Sequence, residues 1–283
     1  MHPILPLRSL LFVPGDNERK LARALESPAD ALVCDWEDGV APDTKALARS
    51  QTSAVLNSRP ANQRVVLIRI NPVSSPEFEK DVVYARQAHP EGLVLSKITS
   101  ARDIRQVNKI CQMRGQPELW LFPMIESAIG LSNAAEIARC QSVAALLFGA
   151  EDFCANTGII RGKEELELLY ARSALVIAAS AAGRKVIDSP CLSLNDAQAV
   201  RESAVRARDL GFTGKLAIHP RQVDILNQAF VPRSEEIEKA SRIIEAFAGG
   251  GQGVISVDGM MVDDAVVKRA RRLLQLVRRA PGE

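Results

Sequence analysis

Acidic residues gather where short apolar runs end. The stretch VCDWEDGV (33–40) closes an apolar run with Asp35, Glu37 and Asp38. Glu126 and Ser127 follow LWLFPM (119–124), and Glu151 and Asp152 follow VAALLFG (143–149). Arg69 lies in VVLIRI (65–70), just before Asn71, and Lys97 ends GLVLSK (92–97). Carboxylates brought together repel one another unless a cation neutralises them. Mg2+ favours a few carboxylates plus waters, and an arginine fork matches a carboxylate or an enolate oxygen. The pattern therefore points to a Mg2+-dependent (or Mn2+-dependent) enzyme acting on an anionic substrate. A histidine-rich centre is not available, since His2, His89 and His219 are the only histidines.

Lys97 admits three readings: a Schiff-base nucleophile, a partner for substrate or carboxylate, and a structural ion pair. Neighbouring carboxylates keep a lysine amine protonated, which opposes the first.

These residues need a scaffold that brings distant strand ends together. Eight short apolar runs recur: residues 10–13, 31–35, 65–70, 92–97, 119–124, 143–149, 185–189 and 215–220. Each is continuous in apolar character, as expected of parallel strands covered on both faces. Helical patterns lie between them at 17–27, 43–58, 101–115, 130–140, 165–183, 196–211 and 218–230, with Asp16 and Asp43 as expected N-caps and Gly115 as a stop. Strands alternating with helices predict a (β/α)8 TIM barrel, whose chemistry sits at the C-terminal strand ends. The exits then carry Asp35, Glu37 and Asp38 on strand two, Arg69 and Asn71 on strand three, Lys97 on strand four, and Glu126 and Ser127 on strand five. Strand six carries Glu151 and Asp152, strand seven Asp188 and Ser189, and strand eight His219. The rival, a doubly wound sheet, would show Gly-x-Gly-x-x-Gly after strand one. PGDNERK has a single glycine there.

A different pattern follows: a strong amphipathic helix over 232–250, a flexible joint at Gly249, Gly250, Gly251 and Gly253, a short strand-like VISV, and a basic helix. The expected division is a catalytic barrel at 1–231 and a helical extension at 232–283, which could cover the barrel mouth or that of a neighbouring subunit.

Composition narrows the function classes. The 283 residues carry a net charge of +2 and only twelve aromatic side chains, which argues against a nucleic-acid surface. No apolar run reaches the roughly 18 residues of a membrane helix. The N-terminus lacks a signal-peptide layout, so a cytoplasmic location is expected. Five cysteines with no Cys-x-x-Cys are expected to be reduced thiols, neither a disulfide framework nor a zinc ribbon.

In order along the chain, RSLLFVPG, CDWEDGV followed by KALAR, IRIN, PMIESAIG, LFGAEDF and KLAIHPRQV resemble the citrate lyase beta-subunit-like branch of the HpcH/HpaI aldolase family. That family includes malyl-CoA, citramalyl-CoA and related β-hydroxyacyl-CoA lyases. The resemblance implies a trimeric or hexameric barrel with one Mg2+ per site, held by Glu126 and Asp152. It places Arg69 on the thioester enolate, and it moves Asp35, Glu37, Asp38 and Lys97 to supporting roles around the metal. Arg8 and Lys20 become candidates for the CoA nucleotide. An aspartate of the tail, Asp263 by motif with Asp258 and Asp264 as neighbours, would act in another subunit's site. Trp36 and the Leu-Ser before Lys97 depart from the family pattern, and Trp36, Ser96 and Met124 are expected to shape the acyl pocket. The implied reaction is Mg2+-dependent cleavage or formation of a β-hydroxyacyl-CoA from a 2-keto acid and a short acyl-CoA. Its rivals are a citrate lyase beta subunit working on a carrier-protein thioester, a CoA-independent metal aldolase on pyruvate-like substrates, and a non-catalytic protein on the same scaffold.

Overall fold

The computed structural model describes residues 7–59, 65–112, 119–249 and 254–278. They fall into two compact units, Leu7 to Asn227 and Gln228 onward.

In the first unit eight parallel strands close into a barrel in chain order. They are β1 (Ser9–Pro14), β2 (Ala31–Asp35), β3 (Val65–Ile70), β4 (Gly92–Leu95), β5 (Trp120–Ile125), β6 (Ala145–Phe148), β7 (Lys185–Asp188) and β8 (Gly214–Ala217). The ladder between β1 and β8, with Ser9 opposite Lys215, completes the ring. The connecting helices are α1 (Glu18–Glu26), α2 (Lys45–Ser58), α3 (Phe78–Gln87), α4 (Ala101–Gln112), α5 (Ala128–Ser132), α6 (Ala134–Ala138), α7 (Ala150–Thr157), α8 (Leu169–Ala181), α9 (Ala197–Leu210) and α10 (Val223–Ala229). The (β/α)8 barrel read from the eight runs is thus the observed fold.

Details of the helices differ from the periodicity. α3 and α7 are absent from the expected set; α7 is only eight residues long, too short to show a clear apolar stripe. The pattern at 130–140 is broken into α5 and α6 at Asn133. Asn17, not Asp16, caps α1 by accepting from the Lys20 N–H. Asp43 lies in a 3-10 turn ahead of α2. Gly115 lies outside the described residues. All five cysteines are free, and burial pushes the Cys34 thiol up to about 12.

Side chains alternate along each strand. Leu10, Val33, Leu67, Val94, Phe122, Leu147, Ile187 and Leu216, one from each strand, form the apolar barrel interior. The next inward positions toward the C-terminal mouth are Phe12, Asp35, Arg69, Ser96, Met124, Gly149 and Ser189, and one step above Met124 stands Glu126.

The intervening positions face the helices, and one patch of them is charged. Fully buried Lys215 on β8 pairs with Asp188 on β7. Arg172 on α8 reaches Asp188 at 3.1 Å and Glu165 at 2.7 Å. Burial pushes the Lys215 amine down, against the pull of the Asp188 carboxylate. Asp188, expected at the mouth as the exit of strand seven, is therefore a barrel-to-helix tie.

In the second unit, α11 (Ser234–Gly249), the hairpin β9 (Ile255–Val257) and β10 (Met260–Val262), and α12 (Asp264–Arg278) follow. Ala240, Ile243, Val262, Val267 and Ala270 form a core of their own. Asp258 and Gly259 both take positive φ in the hairpin turn, as a two-residue turn between twisted strands requires. Of the glycine joint, Gly250, Gly251 and Gly253 lie outside the described residues.

Removing one member of a buried ion cluster strands its partners in low dielectric. Asp188→Ala is expected to lower the unfolding free energy in urea by about 3–5 kcal/mol. A loss near zero would show that Lys215 and Arg172 find other partners or water.

Candidate active site

Asp35 organises the β2 exit. Its Oδ1 accepts from the Glu37 N–H and its Oδ2 from the Gly39 N–H, each at 2.9 Å. This tight turn needs glycine at 39, because a Cβ there would stand 2.4 Å from Asp35 Oδ2. The same two oxygens receive Arg69 Nε at 2.7 Å and Nη2 at 2.6 Å. The pairing is dictated by register, since Asp35 and Arg69 are directly opposed on β2 and β3 and both face inward. Glu37 Oε2 lies 2.9 Å from Arg69 Nη1. The Phe12 ring lies beneath the guanidinium, 5.0 Å from centroid to Cζ. Burial works against the Arg69 charge, but Asp35 and Glu37 outweigh it and raise its pKa. Lys45 donates to the carbonyls of Trp36 and Glu37 at 2.8 and 2.7 Å, fixing the loop from outside.

Asn71 is tied to Asp81, which also holds Arg49, and its Nδ2 reaches the Trp36 carbonyl. The Trp36 indole itself points away from the mouth. It is fully buried, with Nε1 donating to Thr52 on α2 at 2.9 Å. Ser96 donates to the Ile70 carbonyl and Met124 packs in the interior. All three are buried: Trp36 turns outward to α2, whereas Ser96 and Met124 keep inward positions below the mouth.

Lys97 takes a left-handed backbone, φ 53°, uncommon for a residue with a side chain. In that conformation its backbone N–H donates to Glu126 Oε2. Its ammonium lies 2.9 Å from Glu37, 3.5 Å from Asp38 and 4.0 Å from Asp152. Burial opposes the charge, but these carboxylates prevail and raise the Lys97 pKa. An amine so held stays protonated, a poor start for Schiff-base chemistry.

Glu126 stands at the β5 exit, only 3% exposed. Ser127 caps α5 by accepting from the Gly130 N–H, which turns the chain away and leaves the carboxylate facing the mouth. The Glu126 side chain leans over Gly149, where a Cβ would meet its Cγ at 2.4 Å. Its Oε1 is buried without a hydrogen-bond partner. Burial first, then the charges of Glu37 and Asp152, push the carboxyl up to about 8, against the Lys97 N–H and Arg69. Asp152 sits half-exposed in the first turn of α7. Five carboxylates thus surround two cations, and Glu126 Oε1 is a buried oxygen among them that neither cation pairs. Among the described residues, no three His, Cys, Asp or Glu side chains are placed to ligate one ion together. A cation here would draw on Glu126 and Asp152, with waters completing its sphere, as suits a small hard ion.

Within the barrel unit, Arg8, Lys20 and His219 are not brought to this cluster. Arg8 precedes β1 and forks onto Asp30, which precedes β2, at 2.7 and 2.9 Å. That places it at the N-terminal barrel end, opposite the mouth. Lys20 is exposed in the first turn of α1, on the strand-exit side. His219 caps a 3-10 turn by accepting from the Arg221 N–H. In the second unit Asp263 accepts from the Val266 N–H at the start of α12, Asp264 opens that helix, and Asp258 pairs with Arg242. Phe12 and Lys45 were missed as site residues; the inward alternation of β1 and the lysine of KALAR were the available signals.

Residues 8–220 match the model of the HpcH/HpaI aldolase/citrate lyase family. The chain is 33% identical over 276 residues to a (3S)-malyl-CoA thioesterase of Cereibacter sphaeroides, covering 96% of this chain and 95% of that one. It is 31% identical to the mitochondrial citramalyl-CoA lyase of Mus musculus, covering 97% and 87%. The crystal structure of protein CitE from Mycobacterium tuberculosis in complex with magnesium, acetoacetate and coenzyme A superposes with a TM-score of 0.84 at 27% identity, covering 98% and 99%. The chain belongs to the HpcH/HpaI aldolase/citrate lyase family and is, by that membership, a carbon–carbon lyase.

Proposed function

We propose that the protein cleaves or forms β-hydroxyacyl-CoA thioesters, joining a 2-keto acid and a short acyl-CoA, with Mg2+ at Glu126 and Asp152. The observation that carries this reading is the unpartnered, buried Glu126 Oε1 beside a fixed guanidinium. A buried carboxylate oxygen without a donor is costly, and a divalent cation is the partner that suits it. When bound, Mg2+ would supply Lewis acidity toward the keto-acid oxygens.

The chain's own residues do the rest. Arg69 spends one edge on Asp35 and sets Nη1 against Glu37, which leaves one N–H on each terminal nitrogen to receive the enolate oxygen without reorganising. Glu37, Asp38 and Lys97 fix the surrounding charge, and Lys97 holds Glu126 through its backbone. Asp263, from another copy of the chain, would move the proton at the acyl carbon. Lys20, exposed in the first turn of α1, would meet the CoA nucleotide in this reading, whereas Arg8 is engaged with Asp30. Ile160, Leu166, Tyr170 and Ile177 are large, apolar and exposed, which supports assembly into a trimer or hexamer. Among the described residues no helix is long and apolar enough to cross a membrane, and the proposed place of action is the cytoplasm.

The relative named as a thioesterase favours one second reading, hydrolysis of the thioester. A panel of β-hydroxyacyl-CoA substrates with Mg2+ separates the two. Cleavage releases 2-keto acid and acyl-CoA in equal amounts, whereas free CoA thiol without keto acid would replace the lyase reading with hydrolysis. Turnover only with a carrier-protein thioester, or only with substrates lacking CoA, would overturn the CoA part of the proposal.

Arg69→Lys keeps the charge but loses the fork. Turnover is expected to fall by roughly two to three orders of magnitude, with Mg2+ affinity nearly unchanged by calorimetry. Near-normal turnover would remove Arg69 from the enolate role.

The Glu126 carboxyl, at about 8, must lose its proton to bind a metal. Apparent Mg2+ affinity is therefore expected to rise about tenfold per pH unit below that value and to level above it. For the metal-free protein the opposite sign is expected. Its folded state binds the extra proton, so its stability falls as pH rises from about 4.5 through about 8. A Mg2+ affinity flat between pH 6 and 9 would mean that no carboxyl raised to about 8 has to ionise for the ion to bind.

A further inference from the structure

Ser189 is fully buried, and its Oγ has no hydrogen-bond partner. Nothing in the proposed reaction uses it. Its neighbours on β7 fix its direction. Ile187 belongs to the barrel interior, and Asp188 turns outward to Lys215 and Arg172. The next residue, Ser189, turns inward again.

Register then places it. Leu147 on β6 lies opposite Met124 on β5 and opposite Ile187 on β7. Two residues on, the same alignment sets Glu126, Gly149 and Ser189 side by side across β5, β6 and β7. The Gly149 N–H still bonds to the Ile125 carbonyl at 3.1 Å, so the β5–β6 ladder persists to that point. Side chains aligned across parallel strands point to one face. The middle member has no side chain, and Glu126 leans into the space this leaves. Two buried, unpartnered oxygens, Glu126 Oε1 and Ser189 Oγ, therefore flank one glycine. A buried hydroxyl without a partner is costly, and a water bridging two such groups is the common remedy.

We propose that Ser189 is a positioning residue, its hydroxyl donating to a water that Glu126 Oε1 shares across Gly149, so that the carboxylate is held ready for the cation. The inference rests on the reading of Glu126 as a metal ligand. Partners that orient a ligand in this way commonly matter to metal affinity by an order of magnitude or more.

The test is calorimetric titration of the full chain with MgCl2, together with thermal melting of the metal-free protein. Ser189→Ala should weaken Mg2+ binding roughly tenfold and leave the metal-free melting temperature unchanged or raised, since the hydroxyl has no protein partner to lose. The near-isosteric pair Ser189→Thr and Ser189→Val separates hydroxyl from volume, and Thr should bind Mg2+ more tightly than Val. Wild-type binding with an unaltered Ser189→Ala affinity overturns the role of Ser189 alone. A lowered metal-free melting temperature with equal Thr and Val affinities shows a packing role and also overturns it. If the wild-type chain binds no Mg2+, the Glu126 reading falls, and this inference with it.

Discussion

The pairing of Asp35 with Arg69 is the interaction on which the mouth of the barrel depends. An arginine facing inward from a barrel strand would be a severe penalty if its charge stood alone. Here the opposing strand supplies a two-oxygen acceptor at the matching position, and Glu37 adds a second negative charge. The geometry of the pair propagates outward. The turn after Asp35 is wound tightly enough to use both of its oxygens, which forces glycine at 39 and presents Glu37 to both Arg69 and Lys97. Lys97 in turn swings its backbone toward Glu126. A cation fixed on β3 thus shapes a carboxylate on β5.

The order of elements was legible because the strands are continuous apolar runs, which parallel strands covered on both faces must be. The site was legible in part. Arg69, Glu37, Lys97, Glu126 and Asp152 sit at strand exits, and the exits converge. What the sequence could not resolve is which way each exit residue faces. Alternation has a period of two, so an uncertainty of one residue in a strand's end exchanges interior for exterior. Asp188 and Ser189 are adjacent in sequence, yet one braces α8 and the other faces the barrel. Trp36 lies between two inward-directed acids and goes outward for the same reason. Arg8 is a different case: RSLLFVPG spans the whole of β1, so its first and last residues lie at opposite ends of the barrel.

The outward charges have their own logic. Lys215, Asp188, Arg172 and Glu165 bury ionic groups between barrel and helix, where apolar side chains would serve stability as well or better. Such a cluster tolerates few geometries, and Arg161 extends it from Glu165 to Glu151 beside Asp152. The helix carrying Asp152 is therefore braced from behind by a chain of ion pairs that begins in the barrel wall.

One contact described above joins two unlike halves. The guanidinium and its acids come from β2, the loop after it and β3, whereas Glu126 and Asp152 come from the exit of β5 and from α7. The Lys97 N–H on Glu126 bridges the seam between β4 and β5. Each half is a run of βα units carrying one part of the charge pattern, and neither part alone presents both a fixed cation and a cation-seeking carboxylate. On the proposed reading, chemistry at this mouth would report on ring closure itself, since a cut at that seam would part the fixed cation from Glu126 and Asp152.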